Sequence, residues 1–136
     1  MSIQFKHAGI WVLRLIAAFI LIQTLFFKFS ASEESVYIFT ETGMEPWGRI
    51  GTGIAELVAA ILILVPVTTW IGSLMGIGLM SGAIFFHLTK LGIVVKNDGG
   101  LLFIYALVVL ICCVFLLLIN RQRIRQLLKN SGIIKL

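Results

Sequence analysis

Charged side chains are scarce in this sequence. Only 12% of its 136 residues are Asp, Glu, Lys or Arg, and only six of those are acidic. Soluble domains carry about 25% charged residues. Hydrophobic residues make up 60% of the chain, and the mean hydropathy is +1.08. These values exclude a soluble globular domain and indicate an integral membrane protein.

Cysteine and recognisable catalytic motifs are also scarce. Cys112 and Cys113 are adjacent, whereas dithiol enzymes usually space the pair as C-x-x-C, and a disulfide between neighbours is strained. We interpret both as small apolar fillers. The sequence has no Walker loop, dinucleotide fingerprint or H-E-x-x-H motif, and no haem-ligand pair within one span. We therefore predict no metal site, and a partner or a bound quinone would have to supply any electrons.

Long apolar runs take the place of the missing charge. A helix needs ~17–25 residues to cross the hydrocarbon core. Four windows meet this requirement, at about residues 8–29, 49–70, 71–87 and 99–120. Pro66 predicts a tight turn between the second and third spans. The sequence thus predicts an all-α integral membrane protein, a four-transmembrane-helix antiparallel bundle that forms a single domain over residues 1–136, with the first span retained rather than cleaved.

Positive charge collects after the last span. Residues 121–136 contain no acid and five cations: Arg121, Arg123, Arg125, Lys129 and Lys135. Because four spans place both termini on one side, the positive-inside rule puts the N and C termini in the cytoplasm, in a bacterial cytoplasmic (inner) membrane. Apolar residues at helical spacing predict that this basic tail lies on the inner membrane surface. We expect it to contact the lipid bilayer rather than nucleic acid, since adjoining lipid headgroups offer the same negative charge.

One carboxylate, Glu56, lies inside an apolar span, where an ionisable group costs a few kcal/mol or more on insertion. At about 1.5 Å per residue, Glu56 is roughly 10 Å from the outer end of its span. Four other polar residues share the outer half of the membrane: Gln23, Lys28, His87 and Tyr105. A buried carboxylate must be paired, hydrogen-bonded or protonated, and either Lys28 or His87 can reach it. Arg14, near the inner side and too far from Glu56 for direct contact, is a secondary candidate.

Two interpretations of this outer polar cluster remain open. In the first, Glu56 fixes the helix register, and the protein is a non-enzymatic membrane scaffold or assembly factor. In the second, Glu56, Lys28, His87, Gln23 and Tyr105 line a ligand pocket, and no residue is assigned as catalytic. A quinone headgroup suits such a pocket, because its carbonyls need hydrogen-bond donors and its reduction needs protons. A small transporter is less favoured, because the short spans are unbroken.

Small residues and capping residues predict further local structure. Glycine pairs Gly72 with Gly76 and Gly78 with Gly82 favour close helix packing, within one protomer or in a homo-oligomer. In the outer loop, Ser32 predicts the start of a short helix that runs through Phe39 and covers the mouth of the bundle. Before the last span, Asp98 is placed to cap the fourth helix.

The assembled pattern resembles the DoxX family of small four-helix bacterial membrane proteins. The resemblance is carried by Leu13-Arg14-Leu15 with Lys28 fourteen residues after the arginine, Gly53-Ile54-Ala55-Glu56-Leu57, Leu62, Leu64, Pro66, His87 and Asp98-Gly99-Gly100. One departure is Thr24, where many members carry glycine.

The resemblance implies a four-helix bundle with redox associations. DoxD-type relatives are similar to subunits of thiosulfate:quinone oxidoreductase, and others are linked to oxidative-stress complexes with a superoxide dismutase and a sulfurtransferase. Redox partner proteins are therefore expected. Animal relatives look like cargo receptors or receptor-assembly chaperones, which have no chemistry and agree with the scaffold interpretation.

Overall fold

Four long helices form the body of the molecule, and two short helices accompany them. The computed structural model describes residues 2–133, so Lys135 of the predicted basic tail lies outside the described residues. The helices are α1 (Ile3–Phe29), α2 (Glu33–Glu41), α3 (Trp47–Leu64), α4 (Thr69–Phe86), α5 (Leu101–Ile119) and α6 (Arg121–Asn130), and a π-helical turn at His87–Leu91 extends α4. Helices α1, α3, α5 and the extended α4 are long and apolar enough to cross a membrane. The predicted all-α membrane protein with four spans is confirmed.

Three spans differ from their predicted bounds by four or more residues at one end, and the first begins at Ile3 rather than at about residue 8. The second ends at Leu64 rather than at residue 70, because Pro66 disfavours helical geometry at the residue before it, and Val65 is extended with φ −87° and ψ 118°. The third begins at Thr69 and continues through the π-helical turn to Leu91, four residues past its predicted end. The fourth begins at Leu101 because Gly99 and Gly100 adopt positive φ values of 67° and 83°.

The spans are arranged so that α1 and α4 each pack against both α3 and α5, while α1 and α4 share no comparable contact with each other. Small and branched apolar residues fill the centre of this bundle, including Ala17, Ala59, Ile63, Val109 and Leu116, all essentially inaccessible. Large apolar side chains such as those of Phe19, Phe26, Phe85 and Ile111 are exposed on the outside. This distribution is the one expected where lipid, not water, surrounds the helices.

The two glycine pairs on α4 have different roles. A Cβ at Gly72 would lie 2.7 Å from the backbone nitrogen of Ile63 and 2.8 Å from the carbonyl oxygen of Ala59, so α3 and α4 touch there through their backbones. A Cβ at Gly76 would lie 2.6 Å from the sulfur of Cys113 on α5. The predicted packing role of this pair is therefore confirmed, and Cys113 fills space against a glycine.

Gly78 and Gly82 do not pack against a neighbouring helix of the same protomer. Among the described residues, no atom lies within 4 Å of a Cβ built at either position, so close packing of this pair stays a prediction for a homo-oligomer. Both residues are on a part of α4 that faces open space inside the bundle rather than a neighbouring helix. A glycine motif alone does not reveal which side of a helix has a partner.

The short helices occupy opposite ends of the bundle. The predicted helix after Ser32 is confirmed as α2, whose first turn is capped by a 3.3 Å hydrogen bond from the Ser35 amide to the Ser32 hydroxyl. It packs on α1, α3 and the π-helical turn, across the mouth of the bundle. Helix α6 follows α5 directly at Asn120, and its cations are exposed.

Candidate functional site

A cavity of about 580 Å³ lies beneath α2, between the halves of the four spans that are nearest to it. Its walls are mostly apolar, with Ile20, Ile38, Leu79, Phe86 and Leu102 among the lining residues. All five predicted pocket residues also line it: Gln23, Lys28, Glu56, His87 and Tyr105. An apolar cavity with a few convergent polar groups is the usual form of a small-molecule site, and about 300–1,000 Å³ is the usual size.

Lys28 and Glu56 form an ion pair on the wall of this cavity. The ammonium nitrogen of Lys28 lies 2.9 Å from Oε2 of Glu56, and the two side chains are 15% and 7% exposed. The Thr24 hydroxyl, 3.2 Å from the same oxygen, can donate to it or to the Leu21 carbonyl. Within residues 2–133, Oε1 of Glu56 accepts no hydrogen bond, so it is available to a cavity occupant. Of the two partners considered for Glu56, the structure selects Lys28.

His87 does not reach Glu56 but is fixed at another part of the cavity wall. Its Nδ1 lies 2.8 Å from the carbonyl oxygen of Gly92, and its ring packs edge-on against Phe103 with centroids 5.6 Å apart. Because a carbonyl can only accept, Nδ1 carries the proton of this hydrogen bond. The other nitrogen, Nε2, has no hydrogen-bond partner in the part of the chain that the structure describes. Nε2 is therefore the atom with which His87 can contact an occupant.

The comparisons with known proteins agree with this architecture. The model of the DoxX-like family matches residues 12–117, which include all of α3 and the extended α4, most of α1 and α5, and every residue of the ion pair and the His87 contact. This chain belongs to the DoxX-like family. No curated protein and no solved structure matches the chain.

Thr24 of this DoxX-like protein has a structural role. The hydroxyl that glycine lacks is within hydrogen-bonding distance of the buried Glu56 carboxylate. Thr24 also lines the cavity. Thr24 was not predicted as a site residue, although its position one helical turn before Lys28 places it on the same face of α1.

A second residue missed by the sequence interpretation is Arg49, which joins the ends of α1 and α3. Its guanidinium is buried and makes a bidentate pair with Glu45, with Nε at 2.9 and 3.0 Å from the two carboxylate oxygens. Its Nη1 donates to the backbone carbonyl of Lys28. The i, i+4 spacing of Glu45 and Arg49 signals such a pair. This clamp fixes the end of α1 from which the Lys28 side chain extends to Glu56.

The mouth of the cavity carries two carboxylates with opposite behaviour. Partial burial acts to raise the pKa of Asp98, but hydrogen bonds from the amides of Val95, Gly100 and Leu102, with a contribution from nearby His87, lower it overall. The predicted capping role of Asp98 is confirmed by these bonds. Burial raises the pKa of Glu34 on α2, and the Asp98 charge raises it further. Glu34 is therefore the carboxylate at the mouth that gains a proton most readily.

This contrast gives a pH-dependent prediction. Glu34→Gln is expected to stabilise the protein at neutral pH by an amount of the order of 1 kcal/mol or less, because it removes a charge that burial and Asp98 disfavour. The folded-state pKa of Glu34 lies above its ordinary 4.5, so both proteins are equally stable below that pH, and the native protein loses stability relative to the variant as the pH rises through the folded-state pKa.

Thermal unfolding followed at several pH values between 4 and 8 checks the Glu34 prediction. Glu33→Gln is the matched control. The Glu33 side chain is 91% exposed, and its ion pair with the Lys96 ammonium is long, at 3.7 Å, and exposed to solvent. The melting temperature of this control variant should follow the native curve. A Glu34→Gln melting temperature that also follows the native curve would contradict the assignment.

Arg14, the secondary candidate, does not line the cavity of this DoxX-like protein. It is 14 residues before Lys28, which corresponds to about 21 Å along α1. Its guanidinium packs over Trp11, with Cζ 4.8 Å from the ring centroid. The prediction that Arg14 lies too far from Glu56 for direct contact is consistent with this placement.

Proposed function

We propose that this DoxX-like protein is a membrane subunit of a quinone-linked redox complex and that its cavity holds a quinone headgroup. The observation that supports the proposal best is the Lys28–Glu56 ion pair on the wall of an otherwise apolar cavity of about 580 Å³. The pair supplies donors and a proton-accepting oxygen inside a space suited to a ring. We place the protein in a bacterial cytoplasmic membrane, with the cavity on the outer side.

The lining residues fit the chemistry of a quinone. The Lys28 ammonium has three donors, and the pair with Glu56 uses one of them, so the others can bind a carbonyl oxygen. Gln23, Tyr105 and His87 add polar groups from α1, α5 and the π-helical turn. When bound, the quinone supplies two-electron redox chemistry. A redox partner protein delivers the electrons, and the residues of this chain orient the headgroup and hold protons near its oxygens.

The arrangement of the helices leaves room for a headgroup inside the bundle. Helices α1 and α4 lie diagonally across the bundle, each packed on α3 and α5, and Gly78 and Gly82 leave space on the cavity side of α4. The apolar residues around the cavity match the apolar part of such a ligand.

A cavity-filling variant tests this proposal without removing any charge. Gly82→Leu is expected to weaken binding of a short-chain quinone by at least about tenfold, because the new side chain occupies space where a Cβ meets no atom within 4 Å. Gly51→Leu on α3 is the matched control: a Cβ there also meets no atom within 4 Å, but Gly51 does not line the cavity. Equilibrium dialysis of the detergent-purified proteins with ubiquinone-1 measures the effect.

The same assay should show loss of binding for Glu56→Gln and for His87→Ala in folded protein. Unchanged affinity in Gly82→Leu, Glu56→Gln and His87→Ala would refute the quinone site. Weaker binding in Gly51→Leu equal to that in Gly82→Leu would do so as well, since the effect would then be unrelated to the cavity.

A second candidate function is a non-enzymatic scaffold or assembly factor. Two internal contacts favour it, because they join α1 to α3 without any ligand. Glu56 pairs with Lys28, and Arg49, itself paired with Glu45, contacts the end of α1. In that case no quinone binds to the native protein, and Glu56→Gln reduces thermal stability and the recovery of partner proteins.

A further inference from the structure

Arg14 is a buried cation without an anionic partner in residues 2–133. The residue is 7% exposed, and its Nε is sealed from solvent without a hydrogen-bond acceptor. The guanidinium forms no salt bridge or hydrogen bond with the described part of the chain, and it stacks on the Trp11 ring. Arginine stays protonated in proteins and presents five donors, so a buried guanidinium needs an acceptor.

The distribution of acidic side chains shows that none of them in residues 2–133 is placed to pair with Arg14. All six acidic residues lie at the α2 side of the bundle or, for Glu56, in the ion pair with Lys28: Glu33, Glu34, Glu41, Glu45, Glu56 and Asp98. Arg14 is about 21 Å along α1 from the level of Lys28. The side of the bundle that holds Arg14 instead carries the cations of α6, whose side chains are exposed. The acidic side chains of residues 2–133 therefore leave Arg14 unpaired, and the lipid headgroups on this side of the bundle are a source of an anion.

The direction of the Arg14 side chain points to the membrane surface on the side of the chain termini. Helical side chains lean toward the N-terminus of their helix, and Trp11, one turn before Arg14, receives the guanidinium on its ring. Trp11 is 41% exposed and is of the residue type that is enriched at the level of lipid headgroups. The guanidinium is thus brought toward the headgroups from within the bundle.

We propose that Arg14 binds the phosphate group of a phospholipid from the leaflet on the side of the chain termini. Guanidinium and phosphate match in a bidentate geometry, and such pairs are strong where water is excluded. The acyl chains lie against the apolar outside of α1, and the exposed cations of α6 raise the local concentration of anionic lipid. The site is separate from the outer cavity, so it does not depend on the quinone proposal.

The test measures lipid-dependent stability of the full-length protein after delipidation in detergent. Phosphatidylglycerol is expected to raise the melting temperature of the native protein by several degrees, whereas diacylglycerol with the same acyl chains, which lacks the phosphate, is expected to have no effect. Arg14→Met should lose this shift. Arg123→Gln, which removes an exposed cation from α6, should retain most of it and is the control for general charge attraction.

Three outcomes would overturn the proposal. The first is a full phosphatidylglycerol shift in Arg14→Met, and the second is equal stabilisation of the native protein by diacylglycerol. The third is an equal shift with glycerol 3-phosphate alone, which would identify a soluble anion rather than a lipid. If Arg14→Met does not fold, Arg14→Lys and native mass spectrometry replace it: the lysine variant should hold phosphatidylglycerol roughly tenfold more weakly than the native protein, and equal retention would refute the site.

Discussion

Lys28→Met is expected to lower the free energy of unfolding by about 3–5 kcal/mol, because it leaves the Glu56 carboxylate buried without its cation. Glu56 is 7% exposed on its side chain, and the Thr24 hydroxyl is the other group that reaches the paired oxygen. The substitution leaves the backbone carbonyl of Lys28, which accepts from Arg49, unchanged. Equilibrium unfolding in mixed micelles, followed by circular dichroism, measures the loss.

The double variant Lys28→Met/Glu56→Met separates the cost of an unpaired charge from the value of the pair. Replacing both members of a buried ion pair by apolar residues is often neutral or stabilising, so most of the lost stability should return. Lys90→Met is the control, because Lys90 is exposed and its removal should change stability by no more than about 0.5 kcal/mol. A double variant less stable than Lys28→Met would show that the pair is not the source of the effect.

The single variant Lys28→Met and the double variant Lys28→Met/Glu56→Met also help to choose between the two candidate functions. A ligand site and a structural lock both need Lys28 and Glu56 in contact, so loss of stability alone does not distinguish them. The double variant does, provided that it folds. If the double variant is as stable as the native protein yet no longer binds a quinone, the ion pair serves ligand binding. If the native protein binds no quinone and the double variant recovers less of the partner proteins, the ion pair serves assembly.

Hydropathy was enough to predict the four spans, because the thickness of the membrane fixes the length of an apolar helix. The turn after Leu64 was also readable, since Pro66 restricts the backbone of Val65. The π-helical turn was not predicted. Its first residue, His87, contacts Gly92, which has a positive φ of 76°, and no periodicity of apolar residues encodes that contact.

The candidate site was predictable in its members but not in its pairing. Depth along the helices placed Lys28, Glu56 and His87 in one half of the membrane, and all three line one cavity. Helical depth does not specify rotation, so it left open whether Lys28 or His87 meets Glu56. The same limit applies to Gly78 and Gly82: the spacing predicted close packing, and only the tertiary arrangement shows that within one protomer these glycines border the cavity.

Gly72→Ala is expected to destabilise the bundle by about 3 kcal/mol, at the upper end of the range for overpacked cores. A Cβ at this position would lie 2.7 Å from the backbone nitrogen of Ile63 and 2.8 Å from the backbone oxygen of Ala59. Backbone atoms within a helix cannot move aside as a flexible side chain can, so α3 and α4 must separate along their length. Thermal unfolding in detergent measures the effect.

Gly78→Ala provides the opposite result on the same helix. Its Cβ would meet no atom within 4 Å, so the substitution adds no contact that must be relieved. Alanine is favoured over glycine inside a helix by about 0.5–1 kcal/mol, and this variant should therefore be as stable as the native protein or slightly more stable. Equal losses in the two variants would mean that α4 tolerates no added volume anywhere, which contradicts both the backbone contact at Gly72 and the open space at Gly78. A loss of stability in Gly72→Ala together with unchanged or higher stability in Gly78→Ala would show that α4 packs tightly at one end and borders the cavity at the other.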